Sequence, residues 1–215
     1  MMAENEQKMR MGIFGGTFDP PHVGHLILAM EAFDQLHLDK VLWVLTPNPP
    51  HKIGKEITST EIRLEMVKAS IGDDPAFQLS RVDIDRPGPH YMRDTVDLLR
   101  LEFPLASLVF LMGGDSLRDL PTWHEPVEFV RSCDHLGVMH RVGEKIDLGL
   151  LEKKIPGISQ KVEFIEAPIL EISSQKVRQL VSLEKPYRYY LLPSVYEIIQ
   201  SKGLYRTQYP DENGE

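Results

Sequence analysis

Residues 11–25 read Met11-Gly12-Ile13-Phe14-Gly15-Gly16-Thr17-Phe18-Asp19-Pro20-Pro21-His22-Val23-Gly24-His25. The first four form an apolar run of strand type, the glycine pair turns the chain, and an apolar helical stretch from Leu26 to Phe33 follows. A strand that empties through a glycine turn into a helix headed by two histidines suits the phosphates of a nucleotide. The first turn of a helix carries unpaired N–H groups and the positive end of the helix dipole, so anions settle there. Gly15 and Gly16 let the main chain approach a ligand without a Cβ in the way. His22 and His25 lie three apart on one helix face, so both rings can address the same phosphate. Gly24 between them keeps that face low. A metal pair is the alternative use of two such histidines, but no third ligand of suitable spacing follows.

Outward from this junction, short β-rich runs alternate with helical patterns. Strands are expected at Met11 to Gly15, Val41 to Thr46, Phe77 to Ser80, Leu108 to Gly113, His135 to His140 and Val162 to Glu166. Helices are expected at Gly24 to Leu36, Thr60 to Ile71, Met92 to Glu102, Glu125 to Arg131, Ser174 to Ser182 and Pro193 to Lys202. The alternation predicts an α/β fold, Rossmann-like and doubly wound, with a mainly parallel sheet and helices on both faces. Neither Gly-x-Gly-x-x-Gly nor Gly-x-x-x-x-Gly-Lys-Ser/Thr occurs, which speaks against a dehydrogenase or a P-loop enzyme.

With 215 residues and 42% hydrophobic content, the chain can bury a core of its own. One nucleotide-binding domain is expected over residues 9–206, preceded by an extension (1–8) and followed by an acidic tail (207–215). No run approaches the roughly 20 apolar residues of a membrane span, and the opening decapeptide lacks an apolar signal core. A soluble, cytoplasmic protein without a membrane partner is the expectation. The sole cysteine, Cys133, permits no intrachain disulfide and reads as a small buried hydrophobe. A net charge of -8 disfavours nucleic acid as a partner. A small anion remains compatible where cations gather locally, as do His22, His25, His51, Lys52, Lys176 and Arg178. Homo-oligomer formation is compatible with such a fold, but no exposed stripe names an interface.

Four further segments carry chemistry. In Ile172-Ser173-Ser174-Gln175-Lys176-Val177-Arg178, a serine before an apolar helix is first of all an N-cap. Two hydroxyls, free amides and a guanidinium one turn on also make a second phosphate cradle. Gly113-Gly114-Asp115-Ser116-Leu117 ends a strand, where Asp115 can either cap a helix or accept hydrogen bonds from ribose hydroxyls. Leu120-Pro121-Thr122-Trp123 follows, and its tryptophan is either a packing residue or a flat surface for a cationic ring. Pro49-Pro50-His51-Lys52 sets a lysine in a rigid loop after the second strand.

Taken together, these residues resemble the nucleotidyltransferases with a His-x-Gly-His motif, in the version carried by bacterial nicotinate mononucleotide adenylyltransferases. The full run Gly15 to His25 is specific to that version, and the resemblance spans roughly Arg10 to Tyr205, through Tyr190-Leu191-Leu192-Pro193 and Lys202-Gly203-Leu204-Tyr205. It implies that Gly15, Gly16, Thr17, Phe18, His22, His25, Gly113, Asp115, Ser173, Ser174 and Arg178 bind ATP. Lys52, Tyr91, Met92, Thr95 and Trp123 are implied on the acceptor side, with His22, His25, Arg178 and Lys52 catalytic. Departures occur at Gln175-Lys176-Val177, where Thr-Glu-Ile is usual. His90 and Met92 stand where the family has Ser and Thr, beside the segment that reads the nicotinate carboxylate.

The implied reaction is attack by the phosphate of nicotinate mononucleotide on the α-phosphorus of ATP, giving deamido-NAD and pyrophosphate. Mg²⁺ is expected with the triphosphate, held by phosphate and water oxygens, and no metal site made by the protein is expected. Nicotinamide mononucleotide and phosphopantetheine are the alternative acceptors. A non-catalytic nucleotide sensor is the rival of another class, which loss of His22, His25 or Arg178 would favour.

Overall fold

A computed structural model of the chain describes residues 8–49, 57–140, 146–168 and 170–206. Six strands, β1 (Arg10–Gly16), β2 (Lys40–Leu45), β3 (Phe77–Ser80), β4 (Ser107–Gly113), β5 (His135–His140) and β6 (Val162–Glu166), form one sheet in the order β3-β2-β1-β4-β5-β6. Every neighbouring pair is parallel. Parallel strands are buried on both faces, and β2 and β4 read accordingly as unbroken apolar runs.

Period-2 alternation deals their side chains to two cores. Leu42 and Val44 of β2 and Phe110 and Met112 of β4 enter one cluster; Val41, Trp43, Val109 and Leu111 enter the other. Helices α3 (Met92–Glu102), α4 (Gly114–Asp119), α5 (Pro126–Ser132) and α6 (Leu148–Lys154) cover the first face. Helices α1 (Val23–Gln35) and α2 (Thr60–Ile71) cover the second. A third cluster joins Met66 of α2 to α7 (Ser174–Ser182) and α8 (Pro193–Lys202). The fold is therefore the doubly wound, Rossmann-like one expected, and the sheet is parallel throughout.

The expected strands match the observed ones to within a residue or so. Two short helices, α4 and α6, were not expected. The first occupies the segment in which Asp115 stands, and Asp115 lies in its first turn rather than at its cap, which is Gly113. Expected features at 1–8 and 207–215 fall, but for Lys8, outside the described residues. Among the described residues no helix is long and apolar enough to cross a membrane.

The strand order reverses between β1 and β4, whose carboxyl ends are Gly15-Gly16 and Gly113. Such a switch point opens a crevice, since the chain leaves adjacent strands toward opposite faces.

Candidate active site

At that crevice β1 delivers the chain to α1, and His22 is the N-cap. Its backbone N–H donates to Nδ1 of His25 at 3.1 Å, so an imidazole does the work usually left to a Glu or Gln in a capping box. With Nδ1 accepting, the neutral ring of His25 carries its proton on Nε2 and presents a donor there. The two imidazoles stack, with centroids 3.7 Å apart and planes inclined by 27°. His22 is buried, its Nδ1 has no hydrogen-bond partner, and burial lowers its pKa to about 4. A desolvated ring of this kind stays neutral until an anion arrives to stabilise its charged form.

Gly24 leaves room for the stack, because a Cβ there would stand 3.0 Å from Nδ1 of His22 and the ring would have to give way by a few tenths of an ångström. Gly16 is needed for another reason. A Cβ on it would meet the Phe18 ring at 2.8 Å. Phe18 itself is core, edge-on to Phe14 and His25 and tilted on Trp43. It supports the loop from beneath and lines neither of the two cavities that meet here, whereas Gly15, Gly16 and Thr17 line the larger.

Two cavities meet at the histidines. The larger, about 1130 Å³, is lined by His25, Gly15, Thr17, Tyr91, Met92 and Trp123 among others. The smaller, about 110 Å³, is lined by His22, Gly24, Gly113, Gly114, Asp115 and Ile172 among others. Leu28, Gly113 and Met139 belong to both walls. The stacked pair thus offers one ring to each chamber.

In the larger chamber Trp123 packs edge-on to Phe110 and tilted on Phe129, and Tyr91 stacks on His124 at 4.0 Å. No side chain caps the first turn of α3, which begins at Met92 on the chamber wall. Thr95 departs from expectation: it is fully buried, off the cavity wall, and its hydroxyl engages Asp83 at 2.9 Å and the Tyr91 carbonyl at 3.1 Å. Arg86 joins the same buried carboxylate at 2.9 Å, so the segment expected to read the acceptor is braced from behind by Asp83.

Helix α7 is stapled to the same loop. Ser174 Oγ donates to the Pro20 carbonyl at 2.8 Å and Arg178 Nη1 to the Asp19 carbonyl at 2.7 Å. Ser173 is an N-cap, its hydroxyl accepting from the Lys176 amide at 3.1 Å, and it lines neither cavity. Asp115 pairs with Arg118 on the exposed side of α4 while lining the smaller cavity. Lys52 and His51 lie outside the described residues.

Sequence reasoning passed over Arg63. Its guanidinium, 1% exposed, donates to the carbonyls of Thr58 (2.7 Å), Thr17 (3.0 Å), Thr46 (2.9 Å) and Pro47 (2.7 Å). The exits of β1 and β2 and the approach to α2 thereby share one cation. The signal was present, since Arg63, Met66, Val67, Ser70 and Ile71 fall on one helical stripe.

The cytidylyltransferase-like family model matches residues 13–180. Among curated proteins, the chain is similar to one of Thermomicrobium roseum named "Probable nicotinate-nucleotide adenylyltransferase", 44% identical over 92% of each chain. A Roseiflexus protein of the same name is 40% identical over 91% of this chain and 98% of its own. Among solved structures, the fold resembles Plasmodium falciparum nicotinic acid mononucleotide adenylyltransferase complexed with NaAD, with a TM-score of 0.75, 21% identity and coverage of 92% and 97%. Stacked histidines at a switch point, flanked by two chambers, thus coincide with close likeness along nearly the whole chain: it belongs to the nicotinate-nucleotide adenylyltransferase family.

Proposed function

We propose that this chain transfers the adenylyl group of ATP to nicotinate mononucleotide, yielding deamido-NAD and pyrophosphate. The observation that carries the reading is the histidine pair between two chambers, since a group moves between ligands only where their sites touch. The smaller chamber, with Gly113 and Asp115, suits the adenosine; the larger, with its aromatic walls, suits the pyridine nucleotide.

The chemistry asks little of the protein in proton transfer. A phosphomonoester is already anionic near neutral pH, its second pKa being about 6. The difficulty is to align two polyanions and to neutralise charge growing on the transferring and leaving oxygens. His25 donates from Nε2, and His22 becomes cationic as phosphate replaces the water it lost on burial. Arg178, whose guanidinium holds the Asp19 carbonyl just before the histidines, and Lys52 supply fixed positive charge. Mg²⁺ enters as the chelate of ATP, ligated by phosphate and water oxygens.

On the acceptor side, Trp123 offers its face to the pyridinium and the open amides of the α3 first turn suit a carboxylate. Amides persist whatever side chain stands at Met92, so the departure from the usual Thr leaves nicotinate as the preferred acceptor. A cytoplasmic location belongs to the same reading.

The test is a parallel assay of pyrophosphate release with ATP, Mg²⁺ and one of nicotinate mononucleotide, nicotinamide mononucleotide or phosphopantetheine. Turnover is expected to be fastest with the first. Preference for the amide would overturn the acceptor assignment, and silence with all three would leave the nucleotide-sensor alternative.

A further inference from the structure

Asp19 stands between Thr17 and His22 and is 3% exposed. Both carboxylate oxygens are engaged: the Tyr205 hydroxyl donates to Oδ1 at 2.8 Å, and the Thr58 amide donates to Oδ2 at 3.3 Å. Its carbonyl takes the Arg178 guanidinium. The next carbonyl, of Pro20, takes Ser174, and that of Thr17 takes Arg63. Residues 17–21 are therefore gripped from α2, from α7 and from the segment after α8. Each grip falls on Thr17, Asp19 or Pro20, within five residues of His22.

Tyr205 is the most distant of these partners, 186 residues along the chain from Asp19. Burial raises the pKa of its hydroxyl, which therefore stays protonated and remains a donor through the neutral range. Its ring packs in the cluster with Met66, Val177 and Ile199. Removing the hydroxyl alone would leave that packing in place and strip a buried carboxylate oxygen of its donor.

We propose that Tyr205 and Asp19 are positioning residues for adenylyl transfer: their hydrogen bond fixes the loop that carries His22 and His25, and so sets kcat without either residue touching substrate. The inference rests on the functional reading above. An Oδ1 without a donor recruits another, and the main chain of residues 17–21 is what must shift to supply it. The rings that follow move with that chain.

Tyr205→Phe tests this beside Tyr187→Phe. Tyr187 is buried in the same cluster, and its hydroxyl meets the Gln200 side chain instead of a residue of the loop. Both variants are expected to melt at lower temperature. Only Tyr205→Phe should lose kcat, by about tenfold, with KM for ATP changed less than about threefold. Histidine ring resonances in the ¹⁵N spectrum of the full chain should shift for His22 and His25 in Tyr205→Phe and stay in place in Tyr187→Phe. If Tyr205→Phe is recovered insoluble, Asp19→Asn is judged by the same criteria. Unmoved ring resonances, or a kcat within about twofold of wild type well below the melting temperature, would overturn the proposal. Failure of the wild-type chain to use any acceptor would instead overturn the functional reading, and the ring resonances would still decide whether Tyr205 sets the loop.

Discussion

Gly24→Ala sets stability and activity against each other. Alanine is the better helix former by about 0.5–1 kcal/mol, so the substitution on its own favours the fold. The new Cβ, however, would stand 3.0 Å from Nδ1 and 3.2 Å from Cε1 of His22, and ordinary contact begins at 3.4 Å. The ring must give by a few tenths of an ångström, and His25, stacked at 3.7 Å, limits where it can go. A misplacement of about 1 Å costs on the order of 10²-fold in rate, and on a logarithmic scale a third of that displacement costs about fivefold. The expected result is a melting temperature equal to or above that of wild type, with kcat for pyrophosphate release down about fivefold at saturating ATP. Gly149→Ala on α6, whose Cβ would meet only Asp147 Oδ1 at 3.3 Å, is the control and should leave kcat alone. An unchanged kcat in Gly24→Ala would mean that the seat of the His22 ring is immaterial. A raised KM for ATP at unchanged kcat would mean that the methyl crowds the nucleotide instead, and would equally refute the reasoning.

His22 should also make stability depend on pH. Its folded pKa is depressed from 6.5 to about 4, so between those values the unfolded chain binds a proton that the folded chain refuses. The His22 contribution is therefore nil well above pH 6.5 and destabilises the fold as pH drops toward 4, by about 3 kcal/mol at most. Urea unfolding at neutral and acid pH should show this loss in wild type and lack it in His22→Asn; equal losses would refute the assignment. Arg63→Met should cost about 3 kcal/mol or more in urea unfolding, because several buried carbonyls lose their donor at once, and a loss below about 1 kcal/mol would be incompatible with the contacts described. Cys133, buried and with its thiol pushed up to about 12, should resist a disulfide reagent at pH 8 until denaturant is added. Stoichiometric labelling of the native chain within minutes would contradict its burial.

Much of the fold could be read ahead because β1, β2 and β4 are apolar on both faces and are punctuated by Gly, Pro and Asp. The histidine helix announced itself through the glycine turn before it. Helix α4 escaped notice because its six residues offer a single fully buried apolar side chain, Leu117, which is too few for a period. Thr95 was assigned to the acceptor from its motif, although its neighbours Val96 and Leu99 place it on the buried stripe of α3. Arg63 and Asp19 were passed over for a related reason. Charged residues are usually solvated, so a stripe that includes an arginine is easily read as exposed, and the main-chain groups and distant tyrosine that hold these two inside leave no mark on the local sequence.

The bond between Asp19 and Tyr205 also orders events in time. A chain emerging from the ribosome delivers its histidine pair early, and even with β4 made and β1 flanked on both sides, the carboxylate before that pair still lacks one donor. Full competence therefore arrives only after residue 205 has been made and has cleared the ribosome, and a folded chain that stops short of it should turn nucleotide over about tenfold more slowly, as expected of Tyr205→Phe.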